Sequence, residues 1–402
     1  MWMLCKRLTA CRVNGHGTPV GFFITQIRVR LFAASFSTDQ CSDNGKQSFA
    51  ASYLMSSCGL PAKDAISLSR RLHFESAEKP DSVIALLRNH GFTDTHIFKL
   101  VKSCPELLSC SNPSKTLLPK LNFFYSLGIS GTELASFLCS SAKVLKMSLE
   151  KRILPFHDFL KDVIRLDDLK IAESIKKASW TDNKDGVRSL ATNIALLREL
   201  DVPETRLAHL ITVHIGILLR KPIQFKEKVD EVVQMGFDSK KSSFCDALIM
   251  VSKLSIPTRE LKGQTYVKCG WSGEDLETAL KKHPLCMRLS EESICSKMGY
   301  LVNKMGVKPA DIASVPTVLL YSLDRRVIPR CSIVKVLMIR GLLNKQVPIS
   351  SILCTSKKMF RERFISKFEK DIPQLVNIFQ GEMGLSEISS FVREEEAKIC
   401  CS

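Results

Sequence analysis

Apolar residues along most of this chain return at the i, i+3, i+4, i+7 spacing of a helix buried on one face, and the whole stripe then recurs about every 35 residues. Counting from Gly91, equivalent turn positions fall at Gly128, Arg165, Asp201, Gly236, Gly270, Gly306 and Gly341, in steps of 37, 37, 36, 35, 34, 36 and 35 residues. Five of the seven later members are glycine, which suits a helix C-terminus that turns with positive φ. Six, nine, ten and thirteen residues after the first turn position stand Ile97, Leu100, Val101 and Cys104; after the second stand Leu134, Phe137, Leu138 and Ser141. The stripe returns as Ile171, Ser174, Ile175 and Ala178, as Leu207, Leu210, Ile211 and His214, and as Leu276, Ala279, Leu280 and His283.

Each stripe predicts a first helix, and a second follows, as in Leu117, Leu121 and Phe124. Pro105 and Pro284 stop the first helix and turn the chain, whereas Pro316 comes four residues early. The unit after Gly236 fits worst, its stripe shifting to Phe244, Ala247, Leu248 and Val251. Short helices cannot bury such faces alone, so the pattern predicts an all-α superhelical solenoid with a concave surface. Repeats are placed at 83–345, after a linker and helical entry at 39–82. A closing helical segment follows at 346–402, where Glu394-Glu395-Glu396 reads as a solvated terminus.

Charge adds a partner class. The formal net charge is +17, as expected for a protein that meets a polyanion. The first 38 residues carry Lys6, Arg7, Arg12, Arg28 and Arg30 and no acid, the composition of a cleaved organelle transit peptide. Its apolar stretches are too short to span a membrane. The 15 cysteines form no C-x-x-C pair, which argues against zinc ribbons and thioredoxin-like sites and favours a reducing compartment.

One string carries a resemblance: Leu319-Leu320-Tyr321-Ser322-Leu323-Asp324-Arg325-Arg326-Val327-Ile328-Pro329-Arg330, continued by Val334-Lys335-Val336-Leu337 and Arg340-Gly341-Leu342-Leu343. With Lys358-Met359-Phe360, Phe364, Phe368, Ile372-Pro373-Gln374-Leu375 and the Pro105-Glu106-Leu107-Leu108 unit, it resembles the mitochondrial transcription termination factor (mTERF) family in its plant form. The resemblance implies helical triplets forming a half-doughnut with nucleic acid in a basic groove. It also implies residence in mitochondria or chloroplasts and a role in transcription, transcript processing, intron splicing or ribosome biogenesis.

Residues 321–370 hold twelve Lys or Arg against Asp324, Glu362 and Glu369. Arg325, Arg326, Arg330, Lys335 and Arg340, followed by Lys357, Lys358, Arg361 and Arg363, are therefore the candidate phosphate contacts, arginine being suited by its planar fork. Lys115, Lys120, Lys143, Lys151 and Lys281 extend the track, and Tyr321 and Trp271 are candidate base stackers. No Walker loop, H-E-x-x-H or nucleophile elbow occurs, and His209 and His214, five apart, face different ways. The expectation is a monomeric, non-enzymatic mitochondrial protein (chloroplast as the alternative) without cofactor, metal site or membrane insertion. Its partners are organelle double-stranded DNA or structured RNA, together with other expression factors. The competing readings are a pentatricopeptide-like single-strand RNA binder and a protein-binding scaffold for ribosome or splicing-complex assembly.

Overall fold

The computed structural model describes residues 48–178, 180, 185–343 and 347–400, with side chains to 397; the leader expected at 1–38 lies outside them. Every regular element among the described residues is helical, so the chain has the all-α, degenerate-repeat class expected of it. Contacts divide the described residues into two compact units. One runs up to Thr192 and takes in Ala208–Arg220, and the other comprises Asn193–Leu207 and the chain from Lys221 onward.

All eight turn positions have positive φ, from 56° at Asp201 to 108° at Gly270. Arg165 (60°) and Asp201 are the two described non-glycine residues in that region. The turn is thus kept even where the sequence has abandoned its usual residue. Each first helix is started by a local cap where one is available. Thr93 caps Asp94–Ser103, and Ser272 caps Gly273–Lys282 while Asp275 answers it from the third position. The apolar members of the recurring stripe are buried: Ile97, Leu100 and Val101, Leu207, Leu210 and Ile211, and the shifted Phe244, Ala247, Leu248 and Val251 lie in the core, while Ser141, His214 and His283 are half-buried. Ser174, on the same stripe, satisfies its hydroxyl by donating to Lys170 O at 2.7 Å.

In four units the first helix ends on a residue of extended φ, and a five-residue 3₁₀ turn follows. The kinked residues are Cys104, Ser141, His283 and Val315, ahead of Pro105–Ser109, Ala142–Lys146, Pro284–Arg288 and Pro316–Leu320. The early Pro316 has a simple cause, since the helix before it, Pro309–Ser314, is about one turn shorter. His214 keeps the kink (φ −132°) inside Glu204–Leu218 although no 3₁₀ turn follows. That bend brings the His209 and His214 rings to 6.0 Å, edge to face, which corrects the expectation that they diverge.

Within each unit, like packs on like. Asp94–Ser103 lies against Gly131–Ser140, Gly273–Lys282 against Pro309–Ser314, and the turn Pro284–Arg288 against Pro316–Leu320. A buried cation ties successive repeats together. Lys120 Nζ donates to Leu145 O, Lys262 Nζ to Leu289 O, and Lys297 Nζ to Leu319 O at 2.8 Å. Each closes a carbonyl at the next repeat's turn that would otherwise be buried unmet. Burial pushes all three ammonium groups below their ordinary range. Lys120 is therefore an internal strut and not part of a phosphate track.

Candidate nucleic-acid interface

The basic C-terminal region is built from six helical segments. A π turn, Leu323–Val327, opens on Ser322, whose hydroxyl accepts from Arg325 N at 3.3 Å; it runs into Ile328–Ile339, with Pro329 in the first turn. Ile349–Leu353, Lys357–Phe364, Gln374–Gln380 and Leu385–Cys400 follow.

The nine expected contacts separate into three groups. Arg326 and Arg330 are committed inside the fold. Arg326 donates from Nε and Nη2 to Leu353 O at 3.0 and 2.8 Å and from Nη2 to Thr355 O at 2.9 Å, while its guanidinium lies 4.0 Å from the Tyr321 ring centroid. Arg330, 5% exposed, donates from Nη1 to Ile352 O at 3.1 Å and Thr355 O at 2.8 Å, with Phe360 stacked 4.5 Å away. Burial, then the neighbouring Arg326 charge, lowers Arg330 to about 10. These two repeat the role of Lys120, Lys262 and Lys297, so their expected place as phosphate donors gives way to a tie between segments.

Lys335, Arg340 and Arg361 are paired with acids. Arg340 grips Glu395 through Nε and Nη2, and Lys335 Nζ lies 2.7 Å from Glu396. Arg361 stands 3.6 Å from Glu369. Glu394 and Glu396 are exposed as the reading of a solvated terminus expects, but Glu395 is 2% exposed and corrects that reading at its own position. The acid that meets Arg340 comes from 55 residues downstream, beyond any local count of charge.

Arg325, Lys357, Lys358 and Arg363 make up the third group: exposed, and without a carboxylate partner among the described residues. Ser356 caps the helix that Lys357 and Lys358 begin, accepting from Met359 N at 3.2 Å, so these lysines occupy its first two positions. A helix N-terminus disfavours cations by about 0.3–1 kcal/mol each. Here two lysines add to its positive end, where local stability alone would place acids. Lys357 Nζ also sits 5.4 Å from the Phe379 ring. Arg325 and Lys357 share a cavity of about 520 Å³ whose other walls include Phe379, Gly381 and Met383. Arg363 lies nearer the end of the same helix, its guanidinium 5.1 Å from the Phe364 ring. Such an arrangement offers several cations to one polyanion, with Asp324 the one carboxylate among the described residues on the wall of the shared cavity.

Neither candidate stacker is open to a base on both faces. Trp271 is buried flat against Tyr266 at 4.2 Å, and Arg326 covers one side of Tyr321. Among the described residues no group of three or more His, Cys, Asp or Glu is placed to hold a metal ion, and no helix is long and apolar enough to cross a membrane. The buried ties escaped sequence reading, although a signal was present. Lys120 and Lys262 stand eight residues before Gly128 and Gly270, and Lys297 nine before Gly306, with the π turn Tyr300–Lys304 absorbing the extra residue.

Tandem two-helix units, several of them joined by buried cations, define a helical-repeat protein. The family model mTERF matches residues 84–250 and 247–361, and the chain belongs to that family. It is similar to "Transcription termination factor MTERF15, mitochondrial" of Arabidopsis thaliana, 22% identical over 303 residues that make up 75% of this chain and 58% of the relative. It is also similar to "Transcription termination factor MTERF8, chloroplastic" of the same plant, 22% identical over 261 residues, 65% of this chain and 51% of the relative. The chain thus spans a little over half the length of these two relatives.

Proposed function

We propose that this protein binds organelle nucleic acid, as duplex DNA or structured RNA, and regulates organelle gene expression without catalysing a reaction. The carrying observation is the grouping of Arg325, Lys357, Lys358 and Arg363 as exposed cations without carboxylate partners among the described residues, two of them set at a helix N-terminus. Family membership and the names of the two relatives, one mitochondrial and one chloroplastic, support an organelle role. The acid-free first 38 residues are proposed as the transit peptide, and mitochondria as the destination. Transcription termination, transcript processing and intron splicing all accommodate a bound block of this kind, which acts by obstructing a polymerase or holding an RNA in one fold.

Anisotropy of labelled duplex DNA, duplex RNA and single-stranded RNA against purified protein, over a salt series, tests the reading. Engagement of about four phosphates predicts a log–log salt slope of about −3.6 on B-DNA. Combined Arg325→Glu, Lys357→Glu and Lys358→Glu substitution should flatten that slope and weaken binding at least about tenfold. Preference for single strands would favour the pentatricopeptide-like alternative. Absence of any retention would favour the protein-binding scaffold, and binding untouched by the triple reversal would refute the interface.

A further inference from the structure

Two thiols stand 3.6 Å apart, Sγ to Sγ, on helices of successive repeats. Cys269 follows the last residue of Ile256–Lys268, just before the turn glycine Gly270, and Cys295 lies within Glu291–Gly299. Cys295 is exposed and Cys269 half-buried, so a reagent reaches one sulfur first and the other from behind it. Most of the other described cysteines are buried as apolar side chains, among them Cys58, Cys104, Cys245, Cys286 and Cys331. Among the described cysteines, Cys269 and Cys295 form the one pair in mutual sulfur contact.

We propose that Cys269 and Cys295 are a modification site, a dithiol converted reversibly to a disulfide by exchange with a small disulfide of the glutathione class. A bond of about 2.05 Å requires the sulfurs to close by roughly 1.5 Å, within reach of side-chain rotation and slight helix movement. The reaction balances without a further oxidant. The Cys295 thiolate attacks one sulfur of the small disulfide and expels a thiolate, leaving a mixed disulfide. Cys269, deprotonated, then attacks Cys295 Sγ and expels the second thiolate. Two protein thiols lose two electrons and two protons, and one small disulfide becomes two thiols. Burial, and then the hydrogen bond to Cys295, pushes Cys269 up to about 11, so the second step quickens as pH rises. A closed zinc site would need further ligands, and no third metal-binding side chain joins the pair among the described residues.

The bond would join Ile256–Lys268, which carries the ties from Lys262 and Tyr266 to the turn Pro284–Arg288 and its flank, to Glu291–Gly299, which carries Lys297. Oxidation would therefore fix the spacing of two adjacent repeats, whether or not the chain binds nucleic acid.

The test incubates the full-length protein with graded ratios of oxidised to reduced glutathione, quenches with acid, alkylates differentially and maps peptides by mass. A linked 269–295 peptide pair, two hydrogens lighter than the reduced pair and restored by dithiothreitol, is expected. It should form before any link involving the half-buried Cys110 and Cys139 or the exposed Cys354, and about tenfold faster per pH unit. Cys269→Ser should arrest the reaction at glutathione on Cys295, and Cys295→Ser should leave Cys269 reduced. Wild-type protein that stops at the mixed disulfide on Cys295, or that leaves both thiols reduced while Cys354 reacts, overturns the proposal.

Discussion

Arg330 offers the sharpest separation between a residue that grips nucleic acid and one that holds the protein together. In the folded chain its Nη1 meets Ile352 O and Thr355 O, and its guanidinium lies on Phe360. Hydrogen bonds from a charged donor contribute roughly 1.5–3 kcal/mol each, and the ring contact about 1 kcal/mol. Against this runs the desolvation of a cation, expressed in its lowering to about 10. Arg330→Ala relieves that desolvation but strands the Ile352 carbonyl, while Thr355 O keeps its bond from Arg326 Nη2, so the net loss should be about 2 kcal/mol. Arg330→Lys, keeping charge and one donor, should lose about half as much. Arg325→Ala, at an exposed position, should change stability by less than about 0.5 kcal/mol yet weaken duplex binding several-fold. Urea unfolding followed through tryptophan fluorescence and far-UV circular dichroism measures the first quantity, and anisotropy at fixed salt the second. If Arg330→Ala left the urea midpoint in place while cutting affinity as deeply as Arg325→Ala, Arg330 would be a contact and the tie would contribute nothing.

Other outcomes follow from separate features. Arg165→Gly should stabilise by about 0.5–1 kcal/mol by relieving a left-handed residue, whereas Gly128→Ala should cost about 1 kcal/mol for backbone reasons alone, since nothing stands within 4 Å of its new Cβ; thermal melts read both. Glu395→Ala should leave Arg340 without its bidentate partner and loosen Leu385–Cys400, seen as faster proteolysis between 381 and 400 with the remainder intact. Burial alone would raise the Glu231 carboxyl, but hydrogen bonds from Lys228 and Arg259 outweigh it and hold the group below its ordinary value of about 4.5. The lowered folded value means that the stabilisation is complete above about pH 5 and disappears as pH falls through it. Glu231→Gln should accordingly be less stable than wild type at about pH 7 and converge with it in acid, as urea midpoints across pH would show.

The period, the positive-φ turns and the buried stripe could be read from the chain because all three depend on local spacing, which degenerate copies such as those at Arg165 and Asp201 still preserve. The fate of individual cations could not be read that way. Arg325 and Arg326 are neighbours, yet one faces solvent and the other caps Leu353 O, a difference set by how the segments after Gly341 fold back. The partners of Lys335 and Arg340 arrive from Glu396 and Glu395, so a net charge counted over 321–370 overstates what is available to a ligand. Trp271 is open to two interpretations in the sequence for the same reason, and packing on Tyr266 decides between them.

The buried struts reach only as far as the next turn: Lys120 to Leu145, Lys262 to Leu289, Lys297 to Leu319. Each of these three ties therefore binds a module to its immediate successor. During evolution a whole copy can be duplicated or deleted by rejoining one strut to one carbonyl, whereas losing a single strut lysine damages two modules at once. Length is thus an easy character for such a lineage to change, and the strut position a hard one.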